Sequence, residues 1–457
     1  MTASAHGTLS SLVDDAMQTR HVPGVAVGLL HDGTEETFGF GVTSVENPLP
    51  VQPDTLFQIG SITKTFTATL LMQLVAAGRL QLDAPIRAVL PDFRLQDETV
   101  AAAATVRHLL THTGGWVGDD FTDTGWGDDA LARYVLGMAA LPQLAPLGGP
   151  FSYCNSGFAV AGRIVEVLTG QTYEQAARER LLDPLEMQRS RLFPTEVMTE
   201  RYSVGHTSPF DDGQSATVLR PWPLPRAANA MGGLTSTVID LLRYARLHLG
   251  QAGDAVLPAA ARAEMHTVWA PAGNFADAVG AAWMLSGPAE RRVVQHSGST
   301  YGQQATLQLV PDRGLAVAVL TNGSRGGEVH QRISRWALEQ YAGISQPDPT
   351  VRQVAADELA EYVGRYEQPL ASIELRAEDG YLVVHEQPKG GFPSKDSPPR
   401  PAPPAARLAF WATDRVLGLD PPFSGARAEF LRGADGALTW LRIGGRLAKR
   451  QPSVAHS

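Results

Sequence analysis

Ser61 and Lys64 are the two residues whose types and spacing most directly allow chemistry. Residues three apart lie on one face of a helix, so a helix that begins at Ser61 brings the hydroxyl and the amine together. Burial and the positive end of the helix dipole both lower the pKa of such an amine. A neutral amine is a general base that makes the serine a nucleophile. Alone the motif is weak, because Ser61 as a plain helix N-cap is the more common arrangement.

Lysine usage strengthens the case for Lys64. Lys and Arg together number 38, yet the sequence has only four lysines: Lys64, Lys389, Lys395 and Lys449. A bias toward arginine explains the missing lysines but does not explain the one retained in the first 388 residues. Arginine does not lose its proton in a protein, whereas a buried lysine does. Lys64 is therefore a candidate for proton transfer.

Tyr153 and Asn155, in the segment PFSYCNSGF, form a second motif. A tyrosine phenol near a lysine can share its proton and pass it to a leaving group. The asparagine amide can bind a substrate carbonyl and hold the lysine. Taken alone, the pattern is equally typical of a turn with a packed tyrosine. We expect Cys154, between the two, to be a small buried residue rather than a nucleophile.

A third motif, His296-Ser297-Gly298-Ser299, ends a predicted strand. A polar residue and a glycine there let a substrate backbone lie along an edge strand. The backbone N–H groups of Ser299 and Ser61 are predicted to form an oxyanion hole. A lone histidine in a strand is more often a structural, hydrogen-bonded group.

The elements that must position these motifs can be read from periodicity. Apolar residues at helical spacing predict a helix over 62–77, directly after Ser61. Strands are predicted at 24–30, 36–44, 292–297, 303–310 and 315–321, and a closing helix at 328–341. Residues 100–260 are predicted to be mostly helix and loop. The expected class is α+β, an antiparallel sheet flanked by helices plus an all-helical lobe. Gly232 and Gly233 either line the pocket or form a helix N-terminal turn.

The character of the sequence changes after residue 342. We expect a first domain over 1–342, a linker over 343–357 and a small all-β barrel over 358–457. Alternating runs predict its strands, at 372–377, 381–386, 407–411, 415–419, 427–432 and 438–443. Arg446 lies in the last strands and is a candidate to reach a substrate carbonyl or carboxylate. A solvated charge on an edge strand is its more common role.

Composition excludes several classes of protein. The net charge is −9 and no Lys/Arg run appears, so nucleic acid is not an expected partner. With one cysteine and no persuasive His/Asp cluster, we expect neither a disulfide nor a metal or cofactor. No apolar stretch of ~18 residues spans a membrane, and the first residues do not read as a secretory signal. The expected location is the cytoplasm.

In this order and spacing, the three motifs resemble those of the serine β-lactamase and penicillin-binding-protein superfamily, class C-like branch. Supporting segments include LLTHTGG at 109–115 and NAMGGLTST at 229–237. The resemblance implies that Ser61 is the acylated nucleophile, Lys64 its base and Tyr153 the proton relay. Asn155 is then a polar aid, and His296 lies beside the site.

One departure from the family pattern reduces the number of activities that we expect. Most β-lactamases and transpeptidases begin the third motif with a lysine that helps bind a substrate carboxylate, and this sequence has His296. That disfavours both activities and fits an ester, amide or thioester whose carboxyl group is not free.

The C-terminal barrel resembles the lipocalin-like module of some class C-like peptidases, including D-aminopeptidases. It is also similar to the module of penicillin-binding-protein-type thioesterases from nonribosomal peptide pathways. The latter resemblance implies a peptidyl substrate with a D-configured C-terminal residue, delivered as a thioester on a carrier protein and released by macrolactamisation. The alternatives are an intracellular D-aminopeptidase, amidase or carboxylesterase, and a catalytically silent binding or scaffold protein.

Overall fold

An open sheet and a closed barrel organise the chain in the computed structural model, which describes residues 3–210 and 214–452. The helices are α1 Ala3–Arg20, α2 Thr63–Ala76, α3 Glu98–Ala103, α4 Val106–Leu110, α5 Ala130–Gly137, α6 Ser156–Thr169, α7 Tyr173–Ala177, α8 Pro194–Val197, α9 Asn229–Gly232, α10 Val238–His248, α11 Ala259–Met265, α12 Gly326–Ala337 and α13 Ala356–Tyr362. The strands of the first region are β1 Gly24–His31, β2 Thr34–Gly41, β3 Phe57–Gln58, β4 Thr235–Ser236, β5 Ala270–Pro271, β6 Ala278–Val279, β7 Met284–Ser286, β8 Val293–Ser299, β9 Gln304–Val310 and β10 Leu315–Thr321. Those of the barrel are β11 Gly364–Glu367, β12 Ala371–Glu378, β13 Tyr381–Pro388, β14 Ala406–Ala412, β15 Arg415–Gly418, β16 Arg427–Arg432, β17 Leu438–Ile443 and β18 Arg446–Arg450.

The open sheet is antiparallel and has the strand order β2-β1-β10-β9-β8-β7-β6-β5. Alternate residues of β1 enter two different cores, as the two-residue period of a strand requires. Val25 and Val27 pack with α1 and α12 on one face, whereas Ala26 and Leu30 join the large core that contains α2 and α10. The sheet therefore separates a helical layer from the larger helical lobe, and the predicted α+β class is confirmed.

Helix α2 lies inside this lobe and is buried along most of its length. Its threonine hydroxyls do not remain unpaired, because they bond to carbonyls one turn earlier. Thr65 Oγ1 donates to the Ile62 carbonyl at 2.8 Å, and Thr69 Oγ1 to the Thr65 carbonyl at 2.9 Å. A rigid, dry helix is thereby placed directly after Ser61.

The second region is a closed eight-stranded antiparallel barrel, as predicted. Six of its strands match the alternating runs, and β18 begins at Arg446, in the segment expected to form the last strands. The eighth strand, β11, is only four residues long and shows no alternation from which it could be predicted. Helix α13 begins inside the segment expected as linker and packs Leu359 and Tyr362 into the barrel core. Tyr362 bonds to Asp414 in the β14–β15 turn, so α13 closes the end of the barrel that carries this turn.

Because neighbouring strands alternate in direction, the other end carries the β11–β12, β13–β14, β15–β16 and β17–β18 connections. This end, called the barrel mouth below, faces the first region. Among residues 3–210 and 214–452, no helix has both the length and the apolarity that a bilayer crossing requires.

Candidate active site

Ser61 lies in the turn Gly60–Ile62 that leads into α2, so it opens the helix as expected. Lys64 Nζ is 3.0 Å from Ser61 Oγ and 2.5 Å from the Met231 carbonyl oxygen. Met231 belongs to α9, which therefore fixes the direction of the lysine side chain. The hydroxyl and the amine are thus already in hydrogen-bonding contact.

Lys64 is fully buried, and burial lowers its pKa well below the usual value for lysine. The nearby Arg446 guanidinium lowers the pKa further, and the Asp119 carboxylate acts in the opposite direction. A lowered pKa favours the neutral amine near neutral pH. Lys64 therefore has the position of a general base for Ser61, and the direction of its pKa shift favours this role.

Tyr153 is buried beside this pair, and the Lys64 nitrogen lies 5.1 Å from the centre of its ring. Burial raises the pKa of the phenol, and this effect is only partly opposed by the Ser61 hydroxyl and the Arg446 guanidinium. The phenol therefore keeps its proton. Its oxygen is buried and makes no hydrogen bond of good geometry within the described residues. A protonated phenol beside a neutral amine is suited to donate a proton to a leaving group.

Two glycines bring the backbone of Ser61 against that of Ser299. Gly60 has a φ of +52°, and a methyl group there would come within 2.7 Å of the Ser299 nitrogen. A methyl group on Gly298 would come within 1.9 Å of the Ile59 oxygen and 2.8 Å of the Ser61 nitrogen. Only glycine permits these two approaches.

The direction of the Ser299 N–H follows from the register of β8 and β9. Thr300 N donates to the Gln303 carbonyl at 2.9 Å, so this residue pair is hydrogen-bonded. Pairs alternate along an antiparallel ladder, and the next pair, Ser299 with Gln304, is therefore not hydrogen-bonded. The Ser299 N–H points away from β9, toward the turn that carries Ser61, which is the arrangement an oxyanion hole needs.

His296 lies next to the site, but β8 is an edge strand only over part of its length. Strand β7 pairs with Val293, Val294 and Gln295 and then ends, so the following residues have no strand partner on that side. The His296 Nδ1–H donates to the Ser297 carbonyl at 2.7 Å. Burial lowers the pKa of His296 to about 3, so the ring is neutral. Unlike a lysine, it offers no positive charge to a substrate carboxylate.

Asn155 does not hold Lys64, and its amide has another partner. Its Nδ2 donates to Asp119 at 2.6 Å, and the same carboxylate accepts from Arg446 at 2.5 and 3.1 Å. The Met231 carbonyl performs the function that we had expected of Asn155. The guanidinium of Arg446 lies 5.0 Å from the centre of the Tyr153 ring, so Arg446 is in the site and is not a solvated edge charge.

His112 supports the segment that carries Tyr153. It adopts a φ of +56°, and its ring stacks on the Tyr153 ring with centroids 4.3 Å apart. Its carbonyl accepts from Ser152 N at 3.0 Å, and its Nδ1 accepts from Cys154 N at 2.9 Å. Cys154 is buried, and burial raises the pKa of its thiol to about 11, so it is not a nucleophile at neutral pH.

The barrel contributes directly to the site through the β17–β18 turn. This turn is Gly444-Gly445, with φ values of +57° and +76°, the two left-handed positions that a two-residue hairpin turn requires. The Gly445 carbonyl accepts from Tyr153 N at 2.9 Å. Nearby, Arg442 Nε donates to the Phe151 carbonyl at 2.9 Å and forms a buried ion pair with Glu429.

A cavity of about 600 Å³ lies between the turn that carries Ser61 and the barrel mouth. Ser61, Tyr153, Asn155 and Gly232 line it on one side, together with the β8 residues 295–299. The barrel side is lined by Gln368, Leu370, Ala371, Glu386, Phe392, Arg400, Phe423, Ile443, Gly444 and Arg446. Gly233 is not among the lining residues; it packs against Asn229, where a methyl group would come within 2.2 Å of the side-chain oxygen.

Several residues of the site were not predicted. Asp119, Met231 and Gly445 are the important ones. Met231 and Gly445 act through backbone carbonyls, for which a sequence carries no signal. The described residues contain no group of three or more His, Cys, Asp or Glu side chains arranged to hold a metal ion.

Comparison with known proteins relates most of the chain to one family. The Beta-lactamase family model matches residues 9–342. The chain is 38% identical to penicillin-binding protein 4 of Amycolatopsis lactamdurans, over 73% of this chain and 90% of that protein. It is 27% identical to an unguisins hydrolase of Aspergillus campestris, over 68% of this chain and 61% of the hydrolase.

Among solved structures, that of SurE superimposes with a TM-score of 0.73 at 26% identity, covering 99% of this chain and 100% of SurE. The structure of SurE with D-Leu gives a TM-score of 0.70 at 26% identity, covering 97% of this chain and 99% of that one. In both cases the likeness therefore extends over the barrel as well as the first region.

Proposed function

The chain belongs to the beta-lactamase family, whose members are serine hydrolases, and we propose that it releases a peptide from a carrier-bound thioester by ring closure. Ser61 takes over the peptidyl group, and the N-terminal amine of the same peptide then displaces Ser61. The observation that carries this proposal is the cavity of about 600 Å³ that lies between Ser61 and the barrel mouth. A cavity of this volume holds a folded peptide near the acyl group, and the barrel wall on one side reduces the access of water.

Acylation uses the contacts of Ser61. Neutral Lys64 takes the Ser61 proton at 3.0 Å as the oxygen attacks the thioester carbonyl. The resulting oxyanion accepts hydrogen bonds from the backbone N–H groups of Ser61 and Ser299. When the carbon–sulfur bond breaks, Tyr153 gives its proton to the departing thiolate and recovers one from Lys64.

Ring closure repeats the same proton transfers with a nitrogen nucleophile. The peptide amine attacks the acyl carbonyl on Ser61, and Lys64 takes the proton that the nitrogen loses. The carbon–oxygen bond to Ser61 then breaks, and Lys64 returns the proton to the serine oxygen. The products are a macrolactam and free Ser61, with no other reactant consumed.

Arg446 and His296 fit a substrate whose C-terminal carboxyl group is esterified. His296 is neutral, and the charge of Arg446 is already balanced by Asp119. Arg446 uses three of its five N–H groups for Asp119 and the Gly444 carbonyl. The remaining two N–H groups are available to a peptide carbonyl.

SurE, which has a similar fold, was solved with D-Leu. This supports a D-configured residue at the C-terminus of the peptide that acylates Ser61. We also propose that a carrier protein of a nonribosomal peptide synthetase delivers the thioester.

Product mass analysis tests the proposal. The substrate is a linear peptide carried as an N-acetylcysteamine thioester with a D-residue at its C-terminus, and Ser61→Ala is the control. A product lighter than the linear acid by one water, formed by the native chain and not by the variant, is expected. Formation of linear acid alone would overturn ring closure, as would cleavage of D-amino-acid amides or esters with no turnover of the thioester.

Hydrolysis is the second candidate. The relationship to an unguisins hydrolase favours it, with water in place of the amine and a D-peptide, amide or ester as substrate. A catalytically silent binding protein is disfavoured, because such a protein has no need for a buried lysine held against a serine hydroxyl.

A further inference from the structure

Glu386 lies on the inner face of the barrel, next to the active-site cavity. In β13 it follows Leu382 and Val384 at two-residue intervals, and both of these residues belong to the barrel core. Its cross-strand neighbour on β12 is Ile373, which is also in the core. Residues opposite each other on paired strands share a face, so the Glu386 side chain is at the barrel mouth, where it lines the cavity that contains Ser61.

Four charged side chains line this cavity: Asp119, Arg446, Glu386 and Arg400. Asp119 and Arg446 neutralise each other through two hydrogen bonds. The side-chain carboxylate of Glu386 makes no hydrogen bond and no ion pair within the described residues. Arg400 lies on the exposed Pro-rich connection between β13 and β14 and is not within ion-pair distance of Glu386. The cavity therefore presents one carboxylate whose charge has no direct partner.

A carboxylate on an apolar barrel wall is costly without a compensating group. Burial raises the pKa of Glu386, and this effect exceeds the opposing influence of Arg400. A cation that enters the cavity would remove this cost, because it would restore the ionised carboxylate. An α-ammonium group, with a pKa of about 8, is such a cation at neutral pH.

We propose that Glu386 forms a subsite for the protonated N-terminal amine of the peptide held on Ser61. This inference rests on the proposed ring closure, which requires that amine to enter the same cavity as the acyl group. Binding at Glu386 would keep the chain folded back while the acyl group remains on Ser61. Before the attack the ammonium gives one proton to the Glu386 carboxylate, and the neutral amine then attacks while Lys64 takes the second proton. The proton on Glu386 passes to solvent when the macrolactam leaves. The carboxylate thus favours the amine over water as the acceptor without taking part in acylation.

The experiment compares two linear peptide thioesters with neutral side chains, one with a free N-terminal amine and one N-acetylated. The measurements are the ratio of cyclic product to linear acid and the rate of thioester consumption. For the free amine, Glu386→Gln should lower the ratio by roughly tenfold or more, the effect of losing a charge-assisted hydrogen bond. The rate of consumption of the N-acetylated peptide should be unchanged, because it involves acylation and hydrolysis only.

Glu374→Gln is the matched control. Glu374 lies on the neighbouring strand β12, is exposed, and bonds to Arg376 at 2.9 Å. This variant should retain the native ratio. Glu386→Leu, which removes the polar group entirely, should behave like Glu386→Gln and covers the case in which the glutamine variant does not fold.

The outcomes separate the two proposals. If the native chain forms only linear acid, the proposed ring closure fails. If the native chain cyclises and Glu386→Gln keeps the same ratio, only the amine subsite is overturned. A third peptide, N-acetylated with one lysine side chain, identifies the source of the amine. If Glu386→Gln alters the KM of this peptide but not the ratio for the free-amine peptide, the site binds a side-chain amine and the assignment is wrong.

Discussion

The backbone N–H of Tyr153 donates to the carbonyl oxygen of Gly445 at 2.9 Å, across the boundary between the first region and the barrel. On its other side, the Tyr153 ring stacks on His112. Tyr153, the residue we propose as proton relay, is therefore held by both parts of the chain. The barrel is a structural component of the active site as well as a cover over it.

Substitution of Gly445 tests this relationship. Gly445 has a φ of +76°, and a methyl group there would lie 3.1 Å from the Phe275 ring. Gly445→Ala should distort the turn, displace Tyr153 and lower kcat for thioester consumption by roughly tenfold or more, since misplacement of about 1 Å is costly for catalysis. Steady-state kinetics with the N-acetylcysteamine thioester measures the effect.

The matched control is Gly436→Ala, in the β16–β17 turn at the opposite end of the barrel. Gly436 has a φ of +81°, and no atom lies within 4 Å of the methyl position. Both variants incur the left-handed backbone cost of about 1–2 kcal/mol, but only Gly445→Ala should lose activity. Equal activity in the two variants would show that the turn does not position Tyr153.

The oxyanion hole is tested at Gly298. A methyl group there would meet the Ile59 oxygen at 1.9 Å, so Gly298→Ala must separate the Ser61 turn from β8. Loss of one oxyanion donor typically lowers kcat by roughly 10²–10³-fold, and we expect an effect of this size. Gly232→Ala is the control, because the nearest atom would be at an ordinary 3.7 Å in the same cavity. A normal rate of acylation in Gly298→Ala contradicts the assignment of Ser299 N–H.

The pH dependence of acylation should follow the pKa of Lys64, because only the neutral amine accepts the Ser61 proton. kcat/KM therefore falls as the pH decreases through that lowered pKa. Arg446→Gln removes a positive charge that lowers the pKa of Lys64, so the acidic limb should move to higher pH. Asp119→Asn removes a negative charge that raises it, so the limb should move to lower pH. Shifts in the same direction, or no shift, would exclude Lys64 as the titrating base.

Stability should also depend on pH, through histidines outside the site. His330 is buried, its Nε2 lies 3.1 Å from Thr321 Oγ1, and burial lowers its pKa from 6.5 to about 3. As the pH falls from about 6.5 toward 3, the unfolded state binds the proton first, so the free energy of unfolding decreases. His330→Gln should reduce the slope of the free energy of unfolding against pH by up to about 1.4 kcal/mol per pH unit. Urea unfolding between pH 4 and 7 is the measurement, and identical slopes would refute the prediction.

The parts of the site and fold that depend on residues close together in the sequence could be predicted from local patterns. Ser61 and Lys64 are three residues apart on one helix, so their contact follows from helical geometry. The barrel followed from alternation, since inward residues such as Leu382 and Val384 recur every second position. Glu386 continues this inward series, and an acidic residue at that place is a signal that could have been recognised.

The site residues that the sequence did not predict are brought together by contacts between distant parts of the chain. Asp119 is 36 residues from Asn155 and 327 residues from Arg446, and it lies in a loop without periodicity. Only the docking of the barrel onto the first region brings the three side chains together. The free edge of β8 beyond Gln295 depends in the same way on where the short strand β7 ends.

The distribution of lysines gives the two parts of the chain different surface reactivity. Lys64 is fully buried, whereas Lys389, Lys395 and Lys449 are exposed on the barrel or its Pro-rich connection. Among side-chain amines, a water-soluble acylating dye should therefore label only the barrel. Such labelling provides an optical reporter on one side of the active-site cavity while leaving Lys64 unmodified.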